Sequence, residues 1–274
     1  MIKDVISTMS ITTTERTADN LRFQVGTSGF MTSKKQWLKC KSMNCIELNS
    51  SFYRIPSDSV INNLCKLPKY VKIICKVSKY ITHTKRLKDI DEAFQIFWNQ
   101  VSKLGERLTC ILFQFPPSFI ENSVNIARLN QLHTIIPKVN VAIEFRDASW
   151  LNTKTYDLFR NLEWCIVGTL INKRSTTKWV GTMPNGLFIP PRTCNLSYLR
   201  IHGKKGWKGE ITSNQMQEIR NELLKQKVKM SYVMFNNTFF DKKATCKNVN
   251  GETIKFAAVY DATVFASEII NKKA

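Results

Sequence analysis

The sequence predicts an α/β protein built as a single (β/α)8 TIM barrel, with long βα loops after the sixth and eighth strands. Three observations carry that prediction. Short apolar or β-branched runs alternate with longer segments of helical period from Leu21 onward, which is the pattern of βα units around a parallel sheet. Eight such runs fall within 274 residues, and one barrel of this kind fills about 250. At 43% hydrophobic and 11% aromatic residues the chain can bury a large core, so a disordered basic tail is excluded despite a formal charge of +20.

In chain order, the strands are expected at Phe23–Gly26, Cys45–Asn49, Val71–Lys76, Cys110–Gln114, Val141–Phe145, Cys165–Thr169, Ser197–His202 and Met230–Asn236. Helices are expected at Lys34–Lys41, Ser57–Leu67, Asp89–Leu104, Ile126–Ile136, Asn152–Leu162, Thr212–Gln226 and Phe256–Asn271. Two carry clear start signals. Ser57 and Asp58 precede an apolar Val60, Ile61, Leu64 set, and Thr212 and Ser213 precede Met216 and Ile219. The sixth unit is irregular, because Leu170–Asn195 shows turn chemistry in place of a helical period. A second irregular segment, Thr238–Glu252, follows the eighth strand.

The barrel domain is expected to span 21–274, after a flexible polar leader over 1–20. That leader has no apolar core and carries Asp4, Glu15 and Asp19, which disfavours a signal or transit peptide. No stretch reaches the roughly 18 apolar residues of a membrane span. The eight cysteines show no C-x-x-C pair, and Cys45, Cys75, Cys110 and Cys165 lie within apolar runs. They read as buried, reduced thiols of an intracellular protein, cytoplasmic or, in a eukaryote, nuclear.

Most strands end in polar residues. Because side chains alternate along a strand, Glu47 shares a face with Asn49, Glu144 with Arg146, and Tyr198 with Arg200 and His202. Lys76, Gln114 and Asn236 occupy comparable terminal positions. A barrel gathers strand carboxyl ends at one rim, where ligands bind. Two carboxylates and two guanidiniums buried there must either pair with one another or serve a ligand.

The runs GTSGF (Gly26–Phe30), ELNSSFYRIP (Glu47–Pro56), ITHTKRL (Ile81–Leu87), LFQFPPSF (Leu112–Phe119), EFRDASW (Glu144–Trp150), YLRIHG (Tyr198–Gly203) and MFNN (Met234–Asn237) occur in that order. Together they resemble the domain of unknown function 72, or YecE-like, family. The resemblance implies a TIM-barrel fold with no established activity. It also implies a pocket including Ser28, Glu47, Asn49, Tyr53, Lys76, His83, Gln114, Glu144, Arg146, Trp150, Arg200, His202 and Asn236. Phe30, Asp147 and Met234 depart from the family pattern, which more often has Trp, His and an aromatic residue there.

The chemistry expected of such a rim is acid–base catalysis on a phosphate-bearing ligand: a nucleotide, nucleic acid or phosphosugar. Glu144 is the first candidate base, with Glu47 as its partner and His202 as a proton carrier. Arg146, Arg200 and Lys76 suit a phosphate or carboxylate. No cofactor is called for, and the one metal arrangement available is a single divalent ion on Glu47, Glu144 and His202. Most of the net positive charge falls in the predicted βα segments. There Lys85, Arg86, Lys173, Arg174, Lys204, Lys205, Lys242 and Lys243, with Trp207 among the aromatics, would meet the phosphates and bases of a nucleic acid. The alternative reading is therefore a non-catalytic barrel that binds DNA or RNA with low specificity. Oligomeric state is left open.

Overall fold

The computed structural model describes residues 22–170, 186–203, 209, 211–237, 246–247, 253–254 and 256–271. The strands are β1 (Arg22–Ser28), β2 (Cys45–Leu48), β3 (Lys72–Lys76), β4 (Leu108–Gln114), β5 (Val141–Glu144), β6 (Cys165–Ile166), β7 (Gly168–Leu170), β8 (Leu187–Phe188), β9 (Leu196–Ile201), β10 (Met230–Phe235), β11 (Cys246–Lys247) and β12 (Thr253–Ile254). The helices are α1 (Lys34–Lys39), α2 (Ser50–Tyr53), α3 (Asp58–Cys65), α4 (Asp91–Val101), α5 (Ser123–Ile135), α6 (Thr153–Asn161), α7 (Ser213–Lys225) and α8 (Ala257–Asn271). Ten strands form one curled sheet in the order β6-β5-β4-β3-β2-β1-β10-β9-β7-β8. Every pairing in it is parallel except β7 with β8.

Capping explains where several helices begin. The Ser57 hydroxyl accepts from the Val60 amide at 3.4 Å and starts α3, which buries Ile61 and Leu64. Thr212 and Gln215 satisfy each other's backbone amides at 3.3 and 3.1 Å, a capping box that starts α7. Asn122 caps the Asn125 amide at 2.8 Å, so α5 begins three residues before the expected Ile126.

The period-two alternation of the strands produces two apolar layers. Ile46, Ile73, Ile111, Phe113, Ile143 and Phe235 face the helices and pack with Trp37, Leu64, Phe97, Phe159 and Ile219. Cys45, Ile74, Cys110, Leu112, Ala142, Cys165, Val167, Tyr198, Tyr232 and Met234 fill the concave face. Each large apolar side chain so buried contributes about 1.5–3 kcal/mol. Cys40, Cys45, Cys65, Cys75, Cys110, Cys165 and Cys194 are free thiols, and burial pushes those of Cys45, Cys75 and Cys110 well above their usual range.

Several boundaries differ from the sequence reading. The first strand runs two residues beyond its expected end, to Ser28, because Gly26 lets β1 approach β2: an added Cβ would stand 1.6 Å from the Cys45 carbonyl oxygen. The expected sixth strand is interrupted at Val167, whose amide donates to the Ile143 carbonyl at 2.9 Å. On one side of Val167, β6 pairs with β5; on the other, β7 pairs with β9. The short β8 and the β11–β12 hairpin were not anticipated. The leader, the segment 171–185 and most of 238–252 lie outside the described residues.

Candidate functional site

The carboxyl ends of the strands continue the concave layer upward, and there the side chains change from apolar to polar. Parallel register sets Ser28 beside Glu47, Gln114 beside Glu144, and Thr169 beside Arg200. The neighbouring turns fix this rim. Gly29, at φ +87°, donates its amide to the Glu47 carbonyl at 2.8 Å. The Ser51 hydroxyl lies 2.6 Å from the carbonyls of both Leu48 and Lys76, tying α2 to β3.

Arg200 stands at the centre. Its Nε and Nη2 donate to the two oxygens of Glu47 at 3.0 and 2.6 Å, and its Nη1 donates to Glu144 at 2.6 Å. Glu144 also pairs with Arg146, and the Tyr198 hydroxyl donates to Glu47. Glu47, Glu144 and Arg200 are all buried. Burial alone would raise the Glu144 pKa, but Arg146, Arg200, His202 and Lys76 outweigh it and hold the carboxyl well below the usual range. Glu144 is therefore ionised and a weak base at neutral pH. Arg200, although burial opposes its charge, is held more firmly protonated by Glu47 and Glu144.

Lys76 differs from its neighbours. It is 8% exposed, its Nζ donates to Gln114 Oε1 at 2.7 Å, and the Phe52 ring centroid lies 4.2 Å away. Among the described residues no carboxylate lies within ion-pairing distance of it. Burial, with Arg200 and Arg146 acting against Glu144 and Glu47, brings its pKa down to about 8. His202 is buried too. Burial and the cations Arg200, Arg146 and Lys76 bring it down to about 3, so it is neutral. Its Nδ1 accepts from Asn236 Nδ2 at 3.3 Å, which leaves the proton on Nε2.

Ser28 Oγ, Asn49 Oδ1, Thr169 Oγ1 and His202 Nε2 of this rim have no hydrogen-bond partner among the described residues. Buried polar atoms are nearly always partnered, and each orphan costs about 1–3 kcal/mol. Above them, Ser78–Asp89 folds unusually, with a π-helical turn at Tyr80–Thr84 and left-handed backbone at Arg86, Leu87 and Asp89. Rare turns of these kinds concentrate at functional sites. The π turn sets His83 edge-on to Phe52, with ring centroids 5.0 Å apart, and its Nδ1 lies 2.9 Å from Thr82 Oγ1. Burial and Lys76 lead the causes that bring His83 down to about 4.

The structure thus gathers Ser28, Glu47, Lys76, Gln114, Glu144, Arg146, Arg200, His202 and Asn236, with Asn49 and His83 beside them. Two expected pocket residues stand elsewhere. Trp150 is fully buried in the helix-facing core, stacked on Phe145 at 4.3 Å and Phe119 at 5.6 Å, and its Nε1 donates to the Phe119 carbonyl at 2.7 Å. Tyr53 is 80% exposed and packs edge-on against Phe52, on the outer rim. Asp147 caps the turn Ala148–Trp150 by accepting from the Ser149 amide at 2.9 Å. Sequence reasoning missed Phe52 and Thr169; Thr169 follows the same inward alternation as Cys165 and Val167. Among the described residues no group of three or more His, Cys, Asp or Glu is placed to hold a metal. Nor, among them, is any helix long and apolar enough to cross a membrane.

Of the expected basic contacts, Lys85 lies over the Tyr80 ring at 5.8 Å and Arg86 donates to Ser118 Oγ at 3.4 Å. Lys173, Arg174, Lys204, Lys205, Trp207, Lys242 and Lys243 lie outside the described residues.

Comparison with known proteins gives concordant matches. The family described as "Protein of unknown function DUF72" matches residues 31–250. The UPF0759 protein YunF of Bacillus subtilis is 25% identical over 218 residues, covering 70% of this chain and 76% of its own. A DUF72 family protein of Thermotoga maritima superposes with a TM-score of 0.71 at 26% identity, covering 91% of this chain and 99% of the other. One of Enterococcus faecalis superposes at 0.67 with 18% identity over 92% and 98% of the two chains, a likeness of fold.

Proposed function

This chain belongs to the DUF72 family, and from that premise we propose that it is a (β/α)8-barrel enzyme acting by acid–base chemistry on a small phosphate-bearing ligand, of the phosphosugar or nucleotide class. In this reading β6 and β7 are halves of one sixth strand, and the ring closes through Val167. The observation that carries the function is that the rim holds both orphaned polar atoms and Lys76, a buried amine with no carboxylate partner among the described residues. A ligand that supplies oxygen atoms would satisfy both.

The roles differ from those first assigned. Glu47 and Glu144 hold Arg200 and Arg146 in place and supply negative charge. Proton exchange falls to Lys76, the described rim group brought nearest neutrality, and hydrogen-bond donation to the neutral His202. The exposed cations Lys79 and Arg86, with Lys85, receive the phosphate. Titration calorimetry with a panel of sugar phosphates and nucleotides tests this. At least one should bind, and Lys85→Gln with Arg86→Gln should weaken it about tenfold while sparing its unphosphorylated analogue. No binding across the panel overturns the proposal.

A second reading, low-specificity DNA or RNA binding without catalysis, is favoured by the exposed Tyr80 with Lys85 over its ring. It requires affinity for a single-stranded oligonucleotide that falls steeply with salt. A flat salt response removes it.

A further inference from the structure

We propose that Lys76 is a nucleophilic amine: its Nζ adds to the carbonyl carbon of an aldose or ketose phosphate in the rim and forms an imine. The proposal rests on the small-ligand reading above and names the substrate class within it. Lys76 ends β3, so its base is held by the sheet, and its backbone carbonyl is fixed by Ser51. Its Nζ has an acceptor, Gln114 Oε1, on one side and the Phe52 ring on another. An acceptor uses an N–H and leaves the lone pair of the neutral amine free to attack.

The charged and titratable groups around it are Glu47, Glu144, Arg146, Arg200, His202 and His83. The two carboxylates are engaged by the arginines, so neither neutralises Lys76 directly. With a pKa of about 8, about a quarter of the chains carry the neutral amine at pH 7.5, roughly 200-fold more than for an ordinary lysine.

The step balances within the site. The amine lone pair forms the N–C bond while the carbonyl π pair moves to oxygen, and a proton passes from nitrogen to that oxygen. The C–O bond then breaks, the C=N bond forms, and one water leaves with both of its hydrogens drawn from the amine. No oxidant or reductant takes part. His202 Nε2–H, the orphaned donor, supports the oxygen as charge develops on it.

The experiment is borohydride trapping of the full-length protein with glycolaldehyde phosphate or dihydroxyacetone phosphate, followed by intact-mass measurement and peptide mapping. A single adduct on Lys76 is expected, absent in Lys76→Met and Lys76→Arg, with a yield rising through about pH 8. Mapping of the unsubstituted protein alone decides the matter should Lys76→Met fail to fold. Adducts scattered over surface lysines, or none, overturn the imine. Calorimetry with the same sugar phosphates separates the causes. Binding without trapping leaves the small-ligand reading standing; no binding of the sugar phosphates removes the imine, and no binding across the wider panel with nucleotides removes the small-ligand reading as well.

Discussion

Replacing Arg200 by Met removes the hub of the buried charge cluster while keeping most of its volume. The guanidinium makes three hydrogen bonds of 2.6–3.0 Å to two buried carboxylates. Without it Glu144 still has Arg146, but among the described residues Glu47 keeps only the Tyr198 hydroxyl. Removing one partner of a buried ion pair costs about 3–5 kcal/mol, because the other charge is left without compensation. For a chain of this size that corresponds to a loss of roughly 10 °C in Tm. Denaturant unfolding followed by tryptophan fluorescence reads the change. Adding Glu47→Gln should recover at least about 1 kcal/mol, since the stranded charge is then gone. A loss below about 1 kcal/mol for Arg200→Met, or no recovery in the double variant, would refute the account of the cluster as a mutually compensating buried network.

Three further outcomes follow from the same geometry. Since His202 is lowered to about 3 from 6.5, the unfolded chain binds a proton there between those values and the folded chain does not. Its contribution to stability is therefore present above pH 6.5 and lost as pH falls. Unfolding free energy should drop by about 2 kcal/mol between pH 7.5 and 5 on this account, with His83 acting in the same direction, and His202→Gln should flatten the dependence. Trp150→Phe should cost about 1–2 kcal/mol by orphaning the Phe119 carbonyl, yet leave ligand affinity in calorimetry unchanged. In thiol titration of the native protein, Cys194 should react well before Cys45 and Cys110. It is half-buried and its pKa is lowered by a hydrogen bond from Cys165, whereas theirs is raised by burial.

The alternation of short apolar runs located every long strand of the sheet to within a few residues, because strands buried on both faces read as continuous hydrophobic runs. What it missed depends on non-local contacts. The break at Val167 arises from pairing with β5 on one side and β9 on the other, which no local pattern encodes. The strand-end rule found Glu47, Lys76, Glu144, Arg200 and His202 because inward alternation and parallel register are geometric consequences of the sheet. The same rule could not tell which cation was already paired. Arg146 and Arg200 looked equivalent to Lys76 in sequence, and only the positions of the two carboxylates set Lys76 apart. Trp150, which only the family resemblance put in the pocket, adjoins a strand end in its motif, but its ring turns back onto Phe145 and Phe119. The π turn at Tyr80–Thr84 leaves no recognisable pattern in composition.

A crystal structure of the protein soaked with dihydroxyacetone phosphate at saturating concentration tests the central claim most directly. The account predicts ligand density joined to Lys76 Nζ or within hydrogen-bond distance of it, with ligand oxygens on His202 Nε2, Ser28 Oγ and Thr169 Oγ1 and the phosphate toward Lys85 and Arg86. A rim in which Lys76 Nζ, His202 Nε2, Ser28 Oγ and Thr169 Oγ1 are bridged to one another by water alone, unchanged by the ligand, would contradict it.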